Sequence, residues 1–203
     1  MTSEYIKNYK KEIMKCINEL KNKNTVYKQI PNLLTFSRAA LIPISSILFL
    51  TNHPIIGIIY TVLIEATDLF DGRLARKWNV QSKFGADLDA FCDKVMFLSL
   101  SIPLIISYPL VLINFLLEAS ISIINVIGRI KGLNTKTVFS GKVKTCFLSL
   151  MLISGYLVKF FELPLPVLNI LIGITFITQI IALINYIKEY KKMNKEHKSK
   201  KSI

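Results

Sequence analysis

Six runs of about 20 mostly apolar residues divide this chain, the length an α-helix needs to cross the hydrocarbon core of a bilayer. They cover 33–51, 54–74, 88–107, 109–128, 143–160 and 164–187. A segment in lipid must satisfy its own backbone hydrogen bonds. The expected fold is therefore all-α, an integral membrane bundle of six transmembrane helices, and no repeat or strand-like alternation argues otherwise. Composition agrees: 52% of the 203 residues are hydrophobic, yet the formal net charge is +13. Apolar chains are rarely so basic, and the two facts fit together if apolar side chains face lipid and cations lie beside anionic headgroups. Membrane lipids, not nucleic acid, are the expected partners of this charge.

The cations also orient the chain. Lysine and arginine crowd residues 1–30, the connection after the second run (Arg73, Arg76, Lys77, Lys83), the one after the fourth (Arg129 to Lys144) and the end from Lys188. The turns between, at Asn52-His53, Ser107-Tyr108 and around Glu162, are nearly free of them. Such alternation places both termini in the cytoplasm, with the protein in the cytoplasmic membrane. Residues 1–30 carry seven lysines and no apolar core of a signal peptide, so insertion is expected to rely on the internal spans. Tyr5, Ile6, Tyr9, Ile13, Met14, Ile17 and Leu20 recur there at helical spacing. They predict an amphipathic cytosolic helix, either anchored on anionic lipid or packed on the protein. The expected organisation is a juxtamembrane segment 1–30, a six-helix domain 31–187 and a basic tail 188–203. Cys16, Cys92 and Cys146 are too widely spaced for a disulfide framework or a zinc site.

Four carboxylates border the second and third runs. Asp68 and Asp71 are three apart and Asp89 and Asp93 four apart, so each pair shares a helix face. If the two helices face each other, four negative charges converge beside lipid, an arrangement that needs cations. Divalent metal ions are the natural remedy, and Gly72, Ala75 and Gly85 with the fixed cation Arg76 between the pairs suggest phosphoryl transfer at a membrane surface.

The full spacing, D-x2-D-G-x2-A-R-x8-G-x3-D-x3-D from Asp68 to Asp93, resembles the signature of the CDP-alcohol phosphatidyltransferase family at all eight fixed positions. That family consists of six-helix membrane enzymes, commonly homodimers, which transfer a phosphatidyl group from CDP-diacylglycerol or a related CDP-alcohol to a hydroxyl and release CMP. The resemblance implies two ions, Mg²⁺ or Mn²⁺, bridged by Asp68 and Asp89, with Asp71 and Asp93 completing the two shells. It implies Asp93 as general base and Arg76 on the nucleotide diphosphate. Gly72 would let the cytidine approach the backbone. Ala75 and Gly85, with Ser82, Asn32 and Thr35, complete the implied CDP-alcohol site. Cys92 lies on another face of its helix and reads as packing.

The acceptor depends on the basic run from Arg129 to Thr145. Cations with Ser/Thr at a cytosolic helix start can cradle a phosphate. Its G-K-x-K-T segment, with I-P-N-L-L-T-F-S-R at 30–38, looks like family members that use sn-glycerol 3-phosphate. Arg129, Lys142 and Lys144 are the expected acceptor-phosphate ligands. Inositol phosphate, serine and phosphatidylglycerol are the alternative acceptors. Glu118, an acid inside an apolar run, either orients one of those cations or makes a polar contact between helices. A membrane cation transporter is the rival class. It is disfavoured because the acids sit at one cytosolic end with an arginine among them.

Overall fold

The computed structural model describes residues 2–23, 25–130 and 139–199, without the side chains of 2–8, 69, 71, 129, 130 and 194–199. The described residues are helices joined by short turns, with no strand among them. The helices are α1 (Thr2–Lys21), α2 (Ile30–Leu50), α3 (Pro54–Lys77), α4 (Lys83–Ser107), α5 (Val111–Ile130), α6 (Phe139–Phe161) and α7 (Leu165–Ser199). A 3₁₀ turn, Val26–Gln29, leads into α2. The chain divides into two compact units, Ile6–Pro103 and Leu104–Ile203 together with Met1–Tyr5.

In the first unit α2 and α3 form a hairpin. Pro54 opens α3 at a position where its missing N–H costs nothing. Asn52 takes the left-handed conformation (φ 60°) that reverses the chain before it. Gly57 lets the hairpin close, because a Cβ there would stand 3.0 Å from the Phe49 ring. Ile42, Ile64 and Cys92 form the core of the unit, with Ala39, Tyr60, Val95 and Met96 packed around it. The Ser46 hydroxyl donates to the Ser99 carbonyl and ties α2 to α4.

The expected continuous helix over 1–30 is interrupted. Helix α1 stops at Lys21, and the Thr25 hydroxyl donates to the carbonyls of Glu19, in its last turn, and of Asn22, just beyond it. Asn and Thr so close to one another favour such local side-chain bonds over helix continuation. Helix α1 packs on its own unit through Tyr9 against Phe84, through buried Cys16, and through Glu12, whose carboxylate accepts from the Phe84 amide at 3.3 Å. Burial pushes the Cys16 thiol above its ordinary range.

The second unit carries its polar groups inside. Asn114 and Glu118 of α5, Lys144 of α6, and Thr175 and Gln179 of α7 are all buried. Apolar side chains such as Ile106, Ile123, Val126, Ile153 and Ile170 are more than half exposed. That inversion suits lipid as solvent and would be a grave liability in water. Helix α7 runs past residue 188 as one rod, and Tyr190 donates to Asn125 of α5 at 3.1 Å. The start of the expected solvated tail is thus part of a packed helix.

Among the described residues, five stretches are long and apolar enough to cross a membrane: Val26–Leu50, Lys83–Ser107, Val111–Gly128, Phe139–Phe161 and Leu165–Met193. The sixth expected span, α3, is of comparable length, but Glu65, Asp68 and Asp71 interrupt its apolar character after Ile64. None of the three cysteines is in a disulfide.

Candidate active site

The eight-residue gap between Arg76 and Gly85 is built by two helix caps. At the end of α3 the Val80 amide bonds the Ala75 carbonyl (3.0 Å) and the Asn79 amide bonds that of Arg76 (3.2 Å). Asn79 is left-handed (φ 53°), so this is a Schellman ending with asparagine in glycine's usual place. Gln81 follows, and then Ser82 caps α4 by accepting from the Gly85 amide at 2.9 Å. The two caps turn the chain back within a few residues and bring the end of α3 and the start of α4 to one place.

There, with the first turns of α2, they enclose a cavity of about 530 Å³. Its walls are Pro31, Asn32 and Thr35 from α2, then Asp68, Gly72, Ala75 and Arg76 from α3. Val80, Gln81 and Ser82 of the connection and Gly85, Ala86 and Asp89 of α4 complete it. Every expected CDP-alcohol residue lines this one cavity, and so do two of the expected metal ligands. Asp93 lies one turn further along α4, outside the lining. Asp71 is on α3, and its side chain lies outside the described ones.

The two glycines in the walls differ. A Cβ on Gly85 would stand 2.5 Å from Asn32 Oδ1 and 3.1 Å from Ser82 Oγ, so the protein itself requires glycine there. A Cβ on Gly72 would meet only the Arg76 guanidinium, at 3.8 Å. Packing does not demand glycine at that position, which leaves backbone open to whatever fills the cavity.

The carboxylates converge on a residue not expected in the site, Arg38 of α2. Its guanidinium pairs with Asp68, with Asp89 at 2.7 Å and with Asp93 at 3.8 Å. The arginine side chain is 1% exposed, whereas the three carboxylates are 36%, 49% and 64% exposed. A buried guanidinium in an apolar helix is tolerated only with such partners. The signal was present in I-P-N-L-L-T-F-S-R, as a charge in an otherwise apolar stretch. Cys92, fully buried, donates its thiol to the Thr35 carbonyl at 3.2 Å and braces α4 against α2, in keeping with a packing role.

Among the described residues no three acidic, histidine or cysteine side chains form a ready metal cage. The donor chemistry nevertheless fits a divalent cation. Three carboxylates against one guanidinium leave a net charge of −2 within that foursome, all of it on hard oxygen donors.

Of the expected acceptor ligands, Lys142 is exposed on the first turns of α6. Lys144 is buried, and its Nζ bonds both carboxylate oxygens of Glu118 at 2.6 and 2.5 Å. Gln179 Nε2 reaches the same carboxylate at 3.4 Å. Glu118 therefore makes a contact between helices, and its partner is one of the expected cations. The Arg129 side chain and residues 131–138 lie outside the described residues.

The family profile described as CDP-alcohol phosphatidyltransferase matches residues 28–187. A CDP-diacylglycerol–glycerol-3-phosphate 3-phosphatidyltransferase of Rickettsia bellii is 40% identical over 72 residues, 34% of this chain and 40% of that protein. The Escherichia coli K12 protein of that name is 43% identical over 70 residues, 33% of this chain and 38% of the relative. The chain thus spans about two fifths of the length of the curated relatives it matches. Among solved structures, phosphatidylinositol phosphate synthase of Mycobacterium tuberculosis in complex with manganese and citrate has a TM-score of 0.63 at 22% identity, covering 79% of this chain and 81% of that one. The same protein with CDP-DAG bound gives 0.60 at 20% identity, covering 79% and 85%. At such identity the likeness concerns the fold.

Proposed function

The chain belongs to the CDP-alcohol phosphatidyltransferase family, and on that premise we propose that it transfers a phosphatidyl group from CDP-diacylglycerol to a hydroxyl of sn-glycerol 3-phosphate, releasing CMP. The observation that carries this reading is the one cavity whose walls hold the motif residues of α2, α3 and α4, the carboxylates Asp68 and Asp89 among them. The acceptor rests on the G-K-x-K-T run and on the glycerol-3-phosphate transferases to which the chain is similar.

In this reading the acceptor hydroxyl attacks the β-phosphorus of CDP-diacylglycerol. A phosphate ester bond forms, the phosphoanhydride bond breaks, CMP leaves with the bridging oxygen, and Asp93 takes the hydroxyl proton. Asp68, Asp71, Asp89 and Asp93 would hold two divalent ions, Mg²⁺ or Mn²⁺. Bound there, the ions supply charge neutralisation for the diphosphate and the leaving group. Arg76 binds the diphosphate. Gly72 and Ala75 leave room for the nucleotide, and Asn32, Thr35, Ser82 and Gly85 hold it. Lys142 is the favoured acceptor-phosphate contact, since Lys144 is committed to Glu118.

Helix α3 is read as a sixth span whose acidic end protrudes into the cytosol. Its exposed Ile55, Ile56, Ile59, Val62 and Leu63 support this. Both termini are cytoplasmic and the membrane is the cytoplasmic one, as the cation distribution requires. The protein acts as a homodimer. Helix α1 rests on anionic lipid through exposed Met14, Ile17 and Leu20 and its lysines.

Purified protein incubated with CDP-diacylglycerol, Mg²⁺ and one acceptor at a time should release CMP with sn-glycerol 3-phosphate, and EDTA should stop it. Release with inositol phosphate alone would overturn the acceptor; none with any acceptor would overturn the reaction. The glycines give a second check. Gly72→Ala should stabilise α3 by up to about 1 kcal/mol, because alanine is the better helix former, yet weaken CDP binding measured by calorimetry. Gly85→Ala should lower both thermal stability and binding, because it displaces Asn32.

A further inference from the structure

Helix α1 lies outside the apolar spans, yet a chain of side chains carries it into the cavity. Glu19 accepts a hydrogen bond from Gln29 Nε2 at 2.6 Å, and Gln29 Oε1 accepts one from Asn32 Nδ2 at 2.7 Å. Gln29 is buried, and the Glu19 side chain is only 17% exposed. The chain ends at Asn32, in the cavity wall.

The direction of these bonds has one origin. A carboxylate only accepts, so Glu19 draws the NH₂ of Gln29 toward itself. The Gln29 carbonyl oxygen then faces Asn32, which must present its own NH₂. Asn32 Oδ1 is left on the other side, over Gly85. Turning an amide over changes its shape very little. Without this chain Asn32 could offer the cavity a donor as readily as an acceptor. Glu12 of the same helix bonds the Phe84 amide in the first turn of α4, so α1 holds both the Asn32 and the Gly85 walls.

We propose that Glu19 and Gln29 are positioning residues that fix Asn32 as a hydrogen-bond acceptor toward the nucleotide. The group it accepts from is an N–H or O–H of a cytidine diphosphate headgroup, an exocyclic amine or a ribose hydroxyl. This rests on the cavity being the CDP-alcohol site. Neither residue touches the substrate; both act through Asn32. Their effect therefore falls on nucleotide affinity and leaves the chemical step alone.

The test compares full-length variants in phosphatidylglycerol-containing nanodiscs, with calorimetric CDP binding beside CMP-release kinetics. Glu19→Gln still offers an acceptor and should stay within about threefold of wild type. Glu19→Lys offers only donors and reverses every bond in the chain, turning Asn32 Nδ2 into the cavity. It should raise the Kd for CDP and the KM for CDP-diacylglycerol by about tenfold, with kcat and the acceptor KM nearly unchanged. Adding Asn32→Asp to Glu19→Lys restores an acceptor at the cavity, because the new carboxylate takes the Gln29 NH₂ on one oxygen and presents the other. This double variant should recover most of the lost affinity. Unchanged CDP affinity in Glu19→Lys would overturn the proposal, as would a fall in kcat that the double variant fails to relieve. If the cavity is not a CDP-alcohol site, wild-type protein itself neither binds CDP nor releases CMP, and the inference falls with that reading.

Discussion

Asp93→Asn should slow CMP release by about 10²–10⁴-fold, the usual worth of a positioned general base, while CDP still binds. The substitution keeps the shape of the side chain and removes its charge and basicity. Asp93 is the most exposed of the three carboxylates around Arg38, and it does not line the cavity. Asp68 and Asp89 lie in the cavity wall, so their loss should reduce binding and turnover together. Single-turnover CMP release beside CDP calorimetry separates the two patterns. Normal turnover in Asp93→Asn would remove it from the chemistry. Loss of CDP binding would reassign it to holding the nucleotide.

The second large effect concerns stability. Glu118→Leu should destabilise the protein by about 3–5 kcal/mol, because it leaves the Lys144 ammonium buried beside apolar side chains. Lys144→Met should do the same from the other side by stranding the carboxylate. The double variant should regain most of the loss, since two apolar side chains of similar volume replace a desolvated pair. Thermal unfolding in detergent reports the three values. The acceptor KM of the double variant then decides the role of Lys144. An unchanged KM leaves Lys142 as the phosphate ligand, and a large increase returns Lys144 to that role.

The aspartates were legible because helical spacing alone groups them, and the motif residues then followed onto one cavity. The x8 interval was legible only as a number. Its meaning, a Schellman ending at Asn79 followed by the Ser82 cap, depends on hydrogen bonds that no residue count displays. Arg38 stood in plain view as a charge in an apolar run, yet nothing local to it named Asp68 and Asp89 as its partners. Lys144 was misleading for the opposite reason. It sits in a basic segment, and only the packing of α6 on its neighbours shows that Glu118 takes it out of solvent. Glu19, Gln29 and Asn32 were harder still, because the direction of an amide depends on its whole chain of partners. The break after Lys21 was readable from Asn22, Asn24 and Thr25, but the apolar periodicity on both sides masked it.

Arg38 carries a consequence for the proposed cation site. In many metal sites the ion is the fastener, and without it the ligands repel and the fold opens. Here one guanidinium already spans α2, α3 and α4 and holds Asp68, Asp89 and Asp93 near one another. The acidic helix ends are thus latched independently of the ion supply. On the proposed reading, a cell short of divalent ions would idle this protein without unmaking it, and activity would return as soon as the ions did.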